Sequence, residues 1–328
     1  MGWTSSTPCH IWSRCHGCDT APIVGQKFEC LTCPDGPDCD LCERCYSLYR
    51  SGRLKHPPPG SFAAAVSSSE QREHHFRSVA GRTADDAVAW LTVPSPGAEP
   101  PTVPNGFVLR PEFLSGQESF IGSYGFVVKD SSLLLLTALH VMGHLSQTKG
   151  IDCSLRNGRY SGGELPAIVS GVNLYDVFAP VWMTAYVGTA DSMLILPEAR
   201  IREPEPYSQR DIAAFLVPAN AHLAPLGLAS RLPKAGEPVW LAAPHRGSPS
   251  MRTREAVVVE ASASTLIFRY AGSQEIPPSA SGAPLLNQAG EVVGINIGAG
   301  TFENHKFGHG NHVASVRGHL ASAGRAAP

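Results

Sequence analysis

The sequence predicts a mainly β protein in two parts: a small metal-stapled module, then a larger antiparallel β-barrel or sandwich. Three observations carry this. Residues 106–328 alternate short apolar runs with Gly, Pro and Asn breaks, the pattern of short antiparallel strands. The chain holds 32 glycines and 28 prolines, which point to many turns rather than long helices. Eight of its nine cysteines fall between Cys9 and Cys45, with only Cys153 outside. A length of 328 residues leaves room for about two domains, each with its own core.

Composition narrows the function classes. Hydrophobic residues make up 43%, ordinary for a globular protein, and charged residues only 16%, against roughly 25% on average. A net charge of -2 gives no electrostatic case for nucleic acid or an anionic membrane as partner. The longest apolar run, Ser132 to Val141, is too short to span a bilayer. The start, Met1-Gly2-Trp3-Thr4-Ser5-Ser6, has no basic region followed by an apolar stretch, so the expectation is no secretory signal and a cytoplasmic protein. Met1-Gly2 with Ser6 fits the myristoylation pattern formally, and the bulky Trp3 counts against it.

The first module runs over residues 9–62. Three C-x2-C pairs, Cys15/Cys18, Cys30/Cys33 and Cys42/Cys45, are followed by His56. Short C-x2-C turns present two thiolates to one metal, and a region this small cannot bury enough apolar surface alone. Zinc is therefore favoured over a disulfide knot. The segments Cys15-His16-Gly17-Cys18-Asp19, Pro22 to Cys30 and Asp40-Leu41-Cys42-Glu43-Arg44-Cys45 resemble the ZZ-type zinc finger. The resemblance implies a cross-braced protein-interaction module with two zinc ions. By that pattern Cys15, Cys18, Cys42 and Cys45 form one site. Cys30, Cys33 and two downstream histidines form the other, but only His56 is in range, with Gly60 near the place of the second. The extra Cys39 is the favoured fourth ligand, ahead of His10, His74 and His75. Some ZZ modules resemble readers of peptide N-termini through acidic side chains. Asp38 and Asp40 sit in the matching segment, whereas His16 stands where an acid is expected; the alternative is that both aspartates cap turns and solvate the surface.

Residues 63–105 have linker composition, with Ser/Ala-rich and Pro-rich stretches and room for one short helix over Thr83 to Leu91. Beyond them the candidate strands are Gly125–Val128, Leu133–Thr137, Ile212–Val217, Val239–Ala242, Ala256–Glu260, Thr265–Arg269 and Val292–Ile297, and a helix covers Val313 to Ala323. His305, His309 and His312 read as solvated loop residues.

Two runs carry chemistry. Pro277-Pro278-Ser279-Ala280-Ser281-Gly282-Ala283-Pro284 offers a hydroxyl on a small-residue turn, and Leu135-Leu136-Thr137-Ala138-Leu139-His140-Val141 offers an imidazole. A serine is a weak nucleophile until a base takes its proton, and a tight turn aims backbone N–H groups at the developing oxyanion. Either residue alone reads as packing or turn; together, in the order His then Ser, they resemble the trypsin-like serine proteases, most closely the HtrA/DegP group. The resemblance runs from Ser123-Tyr124-Gly125 to Pro284-Leu285-Leu286. It implies a chymotrypsin-like double six-stranded antiparallel β-barrel, Ser281 as nucleophile and His140 as base.

Asp211, in Asp211-Ile212-Ala213-Ala214-Phe215, matches the family's acid and continues its pattern through Leu226-Gly227-Leu228. Asp191, in Ala190-Asp191-Ser192-Met193, is the rival by its shorter spacing to His140. Choosing Asp211 implies an insertion around Lys149 to Thr189. The resemblance makes the N–H groups of Ser281 and Ser279 the oxyanion hole, although the family usually has glycine at the Ser279 position, and Ala283 also replaces a glycine. The run Glu291 to Gly298, with Ile297 in it, falls where such proteases line the substrate cleft, and Gly298 and Ala299 leave the pocket entrance open. Glu275 falls near the base of the specificity pocket, where a carboxylate pairs with a basic side chain; the alternative is an exposed loop glutamate.

The expected function is an intracellular serine endopeptidase acting on protein or peptide substrates, recruited or controlled through a zinc module that binds a protein, with a peptide N-terminus as one candidate. The alternative is a catalytically degenerate protease-fold scaffold acting as a zinc-dependent adaptor. A nucleic-acid role is disfavoured, because the module is not basic and lacks the finger spacing of groove readers.

Overall fold

A computed structural model describes residues 7–30, 40–55, 75–79, 82–104, 106–115, 118–130, 132–138, 141–142, 171–178, 186–190, 192–194, 211–218, 223–244, 253–262, 266–272 and 280–326. The chain divides into two compact units. The first gathers Met1–Thr92 and Ala299–Phe307, and the second the bulk of the remainder.

In the first unit, β1 (Pro8–His10) pairs antiparallel with β2 (Ile23–Val24). β3 (Lys27–Cys30) pairs with β4 (Asp40–Cys42), which leads directly into helix α1 (Glu43–Arg50). Glu43 in the first turn and Arg50 in the last both suit the helix dipole. The core is small: Cys15, Ile23, Leu41 and Cys45, with Phe28, Tyr46, Tyr49 and Phe76 packed around them. Phe28 and Tyr46 stack at 3.8 Å, and Phe76 meets Tyr46 edge-on at 5.3 Å.

The stretch read as linker carries structure of its own. β5 (Phe76–Val79) adds to β3, and β6 (Arg82–Thr83) adds to β1. Helix α2 (Ala84–Thr92) begins with a reciprocal cap: Thr83 N–H donates to Asp86 Oδ2 at 3.1 Å, and Asp86 N–H donates to Thr83 Oγ1 at 3.3 Å. It buries Ala87 and Trp90, three residues apart on one face.

The second unit opens with a sheet of eight strands. β7 (Leu109–Ser115), β8 (Glu118–Ile121), β9 (Gly125–Lys129), β10 (Leu133–Thr137), β11 (Gly171–Asp176), β12 (Tyr186–Ala190), β13 (Ser192–Leu194) and β14 (Ala213–Val217) run in the order β12-β11-β7-β9-β10-β14-β13, with β8 on β7. The stretch taken as an insertion thus supplies β11 and β12. Val172 and Leu174 alternate inward there, a period-2 signal too short to stand out in the sequence.

A closed six-stranded barrel follows. β15 (Pro238–Leu241), β16 (Arg254–Ala261), β17 (Leu266–Tyr270), β18 (Pro284–Leu286), β19 (Val292–Phe302) and β20 (His305–His312) close in the order β15-β16-β17-β20-β19-β18. Helix α3 (Val313–Ala326) follows β20. One buried cluster joins sheet and barrel, including Phe126 and Leu136 from the former and Val239, Phe268 and Leu285 from the latter.

The histidine-rich stretch is therefore strand, not loop. His305 is exposed, but His309 is half-buried and His312 fully buried. Glycines make this possible: a Cβ at Gly310 would stand 2.3 Å from the Ile295 carbonyl oxygen, so only glycine lets β20 lie this close to β19. Among the described residues no helix is long and apolar enough to cross a membrane.

Candidate active site and metal centre

Ser281 sits on a turn held from three directions. Gly282 follows it at φ +82, and a Cβ there would lie 2.0 Å from the Tyr124 carbonyl oxygen and 2.5 Å from Thr137 Oγ1. Only glycine satisfies both the dihedral and the space. Thr137 Oγ1 donates to the Tyr124 carbonyl at 2.6 Å, and Tyr124 N–H donates to the Ser281 carbonyl at 3.2 Å, tying the turn to β9 and β10. From β19, the Asn296 carbonyl accepts from Gly282 N–H at 2.8 Å, and Asn296 N–H donates to the Ala283 carbonyl at 2.9 Å. The Ser281 hydroxyl donates to the Ile297 carbonyl at 2.8 Å. Its single proton is thus directed at main chain in this conformation.

Asp211 is buried, 1% exposed, just ahead of β14. Its carbonyl accepts from Asn311 Nδ2 at 2.8 Å. β10 and β14 pair with Thr137 opposite Ala213. β10 therefore ends at the sheet end where β14 begins, next to Asp211. Ser192, next to Asp191, pairs with Leu216 near the opposite end of β14, about 10 Å away at about 3.4 Å per residue.

Ile297, Gly298 and Ala299 lie in β19, which extends beyond the strand Val292–Ile297 read from the sequence. The place of a Gly298 side chain is taken by His309, whose Nε2 is 2.6 Å from where a Cβ would stand. His140, Ser279, Glu275 and Asp191 lie outside the described residues. The sequence reading did not single out Asn296, Thr137 or Tyr124. A polar residue inside Val292-Val293-Gly294-Ile295-Asn296-Ile297 was the one available signal for the first.

In the first unit, Cys15, Cys18, Cys42 and Cys45 bring their four Sγ atoms within 4.8 Å of one another. Cys18 and Cys42 Sγ are 3.9 Å apart. A tetrahedron with Zn–S bonds of about 2.3 Å has edges of about 3.8 Å, so this set fits a zinc ion. The Cys15 thiol also accepts from Cys42 N–H at 3.3 Å. Cys30 is buried in β3, and His10 is buried in β1; Cys33, Cys39, His56 and His74 lie outside the described residues.

Asp40 is neither a surface residue nor a turn cap. It is 2% exposed and ion-paired with Lys27 at 2.9 Å. Burial raises its carboxyl above the usual range against the pull of Lys27. Asp38 lies outside the described residues.

Two family models match. The trypsin-like peptidase domain matches residues 122–295, from the strand pair that braces Ser281 to the middle of β19. The chain belongs to the trypsin-like peptidases. The ZZ-type zinc finger matches residues 10–54, so this trypsin-like peptidase carries a ZZ module ahead of its peptidase domain. Two curated relatives match short stretches. Dystrophin-1 of Caenorhabditis elegans is 36% identical over 64 residues, 19% of this chain and 2% of that protein. The auxin transport protein BIG of Oryza sativa subsp. japonica is 44% identical over 43 residues, 13% of this chain and 1% of that protein. The chain thus spans a very small part of the curated relatives it matches.

Among solved structures, the active form of the Rv3671c protease from M. tuberculosis is 19% identical at a TM-score of 0.42, covering 72% of this chain and 96% of that one. The serine endoprotease from Yersinia pestis is 16% identical at a TM-score of 0.42, covering 70% and 69%.

Proposed function

We propose that this trypsin-like peptidase is an active cytoplasmic serine endopeptidase using Ser281, His140 and Asp211, controlled or targeted through its ZZ module. The observation that carries the reading is the Ser281 turn. Gly282 can only be glycine, and it locks against Tyr124 and Thr137, on the strands that lead toward His140. In this reading His140 takes the Ser281 proton as Oγ attacks the scissile carbonyl, then returns a proton to the leaving amine. Asp211 holds the imidazole tautomer, and the sheet register supports it over Asp191. The N–H groups of Ser281 and Ser279 receive the oxyanion. Ile297 and Gly298 line the cleft, and Glu275 reads a basic side chain before the scissile bond. The ZZ module holds two structural zinc ions, one on Cys15, Cys18, Cys42 and Cys45, the other on Cys30, Cys33, Cys39 and His56.

A second reading, a degenerate scaffold, is favoured by one observation: the Ser281 hydroxyl is donated to the Ile297 carbonyl rather than left for a base. One experiment separates the two. A fluorophosphonate probe should label wild type and not Ser281→Ala, and peptide turnover should disappear in Ser281→Ala and His140→Ala without loss of fold. Absence of labelling and turnover in zinc-loaded wild type leaves the scaffold reading.

A further inference from the structure

Asn296 is 2% exposed in the middle of an apolar strand, and it faces the turn that carries Ser281. It touches that turn three times. Its carbonyl takes Gly282 N–H at 2.8 Å, its N–H reaches the Ala283 carbonyl at 2.9 Å, and its side-chain Nδ2 donates to the Ala280 carbonyl at 2.9 Å. The first two bonds are main-chain and any residue would make them. The third belongs to the asparagine.

That third bond fixes a peptide plane. The Ala280–Ser281 unit is planar and trans, so its C=O and N–H point in opposite directions. With the Ala280 oxygen drawn to Asn296 Nδ2, the Ser281 N–H is turned away from Asn296. The Ala283 N–H also reaches the Ala280 oxygen, at the longer distance of 3.2 Å, as the closing bond of the turn itself. Asn296 Oδ1 has no hydrogen-bond partner among the described residues. A buried unpaired acceptor costs roughly 1–3 kcal/mol, so packing alone gives no reason for an amide here. The donor is what the position uses.

We propose that Asn296 is the positioning residue for the oxyanion hole: its amide sets the orientation of the Ser281 N–H that receives the developing negative charge. This rests on Ser281 being the nucleophile. It also supplies a support for the turn in a chain that lacks glycine at position 279.

The test uses the full zinc-loaded chain and two variants, Asn296→Leu, which keeps the shape and removes the donor, and Asn296→Asp, which replaces it with an acceptor. Turnover of a peptide substrate and binding of a peptide aldehyde are measured together. In the aldehyde adduct Ser281 Oγ bonds the carbonyl carbon, its proton passes to His140, and the C=O electron pair becomes the oxyanion. The expected result is a fall in kcat of about 100-fold, the scale of a lost oxyanion donor. KM should stay within about twofold, aldehyde affinity should fall in step with kcat, and the thermal midpoint should stay close to wild type for Asn296→Leu. A folded Asn296→Leu with kcat near wild type, or with kcat lost but aldehyde affinity kept, overturns the proposal alone. A wild type that neither labels at Ser281 nor turns over peptide sinks the protease reading and this proposal with it. If neither variant folds, a crystal structure of the wild-type aldehyde adduct decides. Nδ2 on the Ala280 oxygen with Ser281 N–H on the adduct oxygen supports the proposal, and an Ala280 carbonyl turned from Asn296 overturns it.

Discussion

At Gly282 one missing Cβ decides whether the site can exist. The residue combines φ +82 with main chain at 2.0 Å from any Cβ. Gly282→Ala should lose at least about 1–2 kcal/mol from the left-handed conformation alone, more from the clash with the Tyr124 carbonyl, and all peptidase activity. A melting curve and a turnover assay check both; an active, equally stable variant would show that the turn is not held as described. The acid is the second decision at this scale. Asp211→Asn should cost several orders of magnitude in kcat, because an amide imposes the wrong imidazole tautomer, while Asp191→Asn should stay within a few-fold of wild type. Equal loss in both would remove the distinction between the two aspartates, and loss only in Asp191→Asn would make Asp191 the acid.

Among the elements, β20 and α3 meet at a histidine. His312 Nδ1 accepts Ala314 N–H at 3.0 Å, which requires it to be unprotonated. Burial pulls its pKa from an ordinary 6.5 to about 4. The unfolded chain therefore takes up this proton at higher pH than the folded one. The stability tied to neutral His312 is complete above about pH 6.5 and drains away as pH falls toward about 4. His312→Asn keeps an acceptor for the helix start and cannot titrate in this window. Denaturant midpoints at pH 7 and pH 5 should differ less for the variant than for wild type; equal pH sensitivity would remove His312 as the cause. This stretch read as solvated loop because Gly and His are poor strand formers, yet glycines at 308 and 310 admit the Phe268 ring and the β19 backbone.

At the scale of the whole molecule, each unit has a core of a different kind. The first has a core of a few apolar residues around four thiols, the second a large shared core. Chelating the zinc should unfold the ZZ module, residues 10–54, and leave the barrel folded, seen as loss of one of two transitions by calorimetry. A single transition, shifted as a whole, would mean the units fold as one. The same chelated chain tests control: peptidase activity should change when the ZZ module unfolds, and unaltered activity on a generic peptide would reduce the module to a recruitment tag.

Much of this was legible in the chain itself. Paired cysteines report a metal site because a C-x2-C turn presents two thiolates to one ion, and Cys15/Cys18 converge with Cys42/Cys45 as the resemblance to the ZZ finger implies. The Ser-Gly turn, β9, β10 and β14 were readable because apolar runs and glycine carry local constraints. What sequence could not decide depends on partners distant along the chain. That Lys27 occupies Asp40, that β11 and β12 extend the first sheet, and that Asn296 grips Ala280 follow from strand registers joining residues far apart in sequence. Hydrogen bonds are short-ranged and directional, so they report on neighbours that only the folded chain supplies.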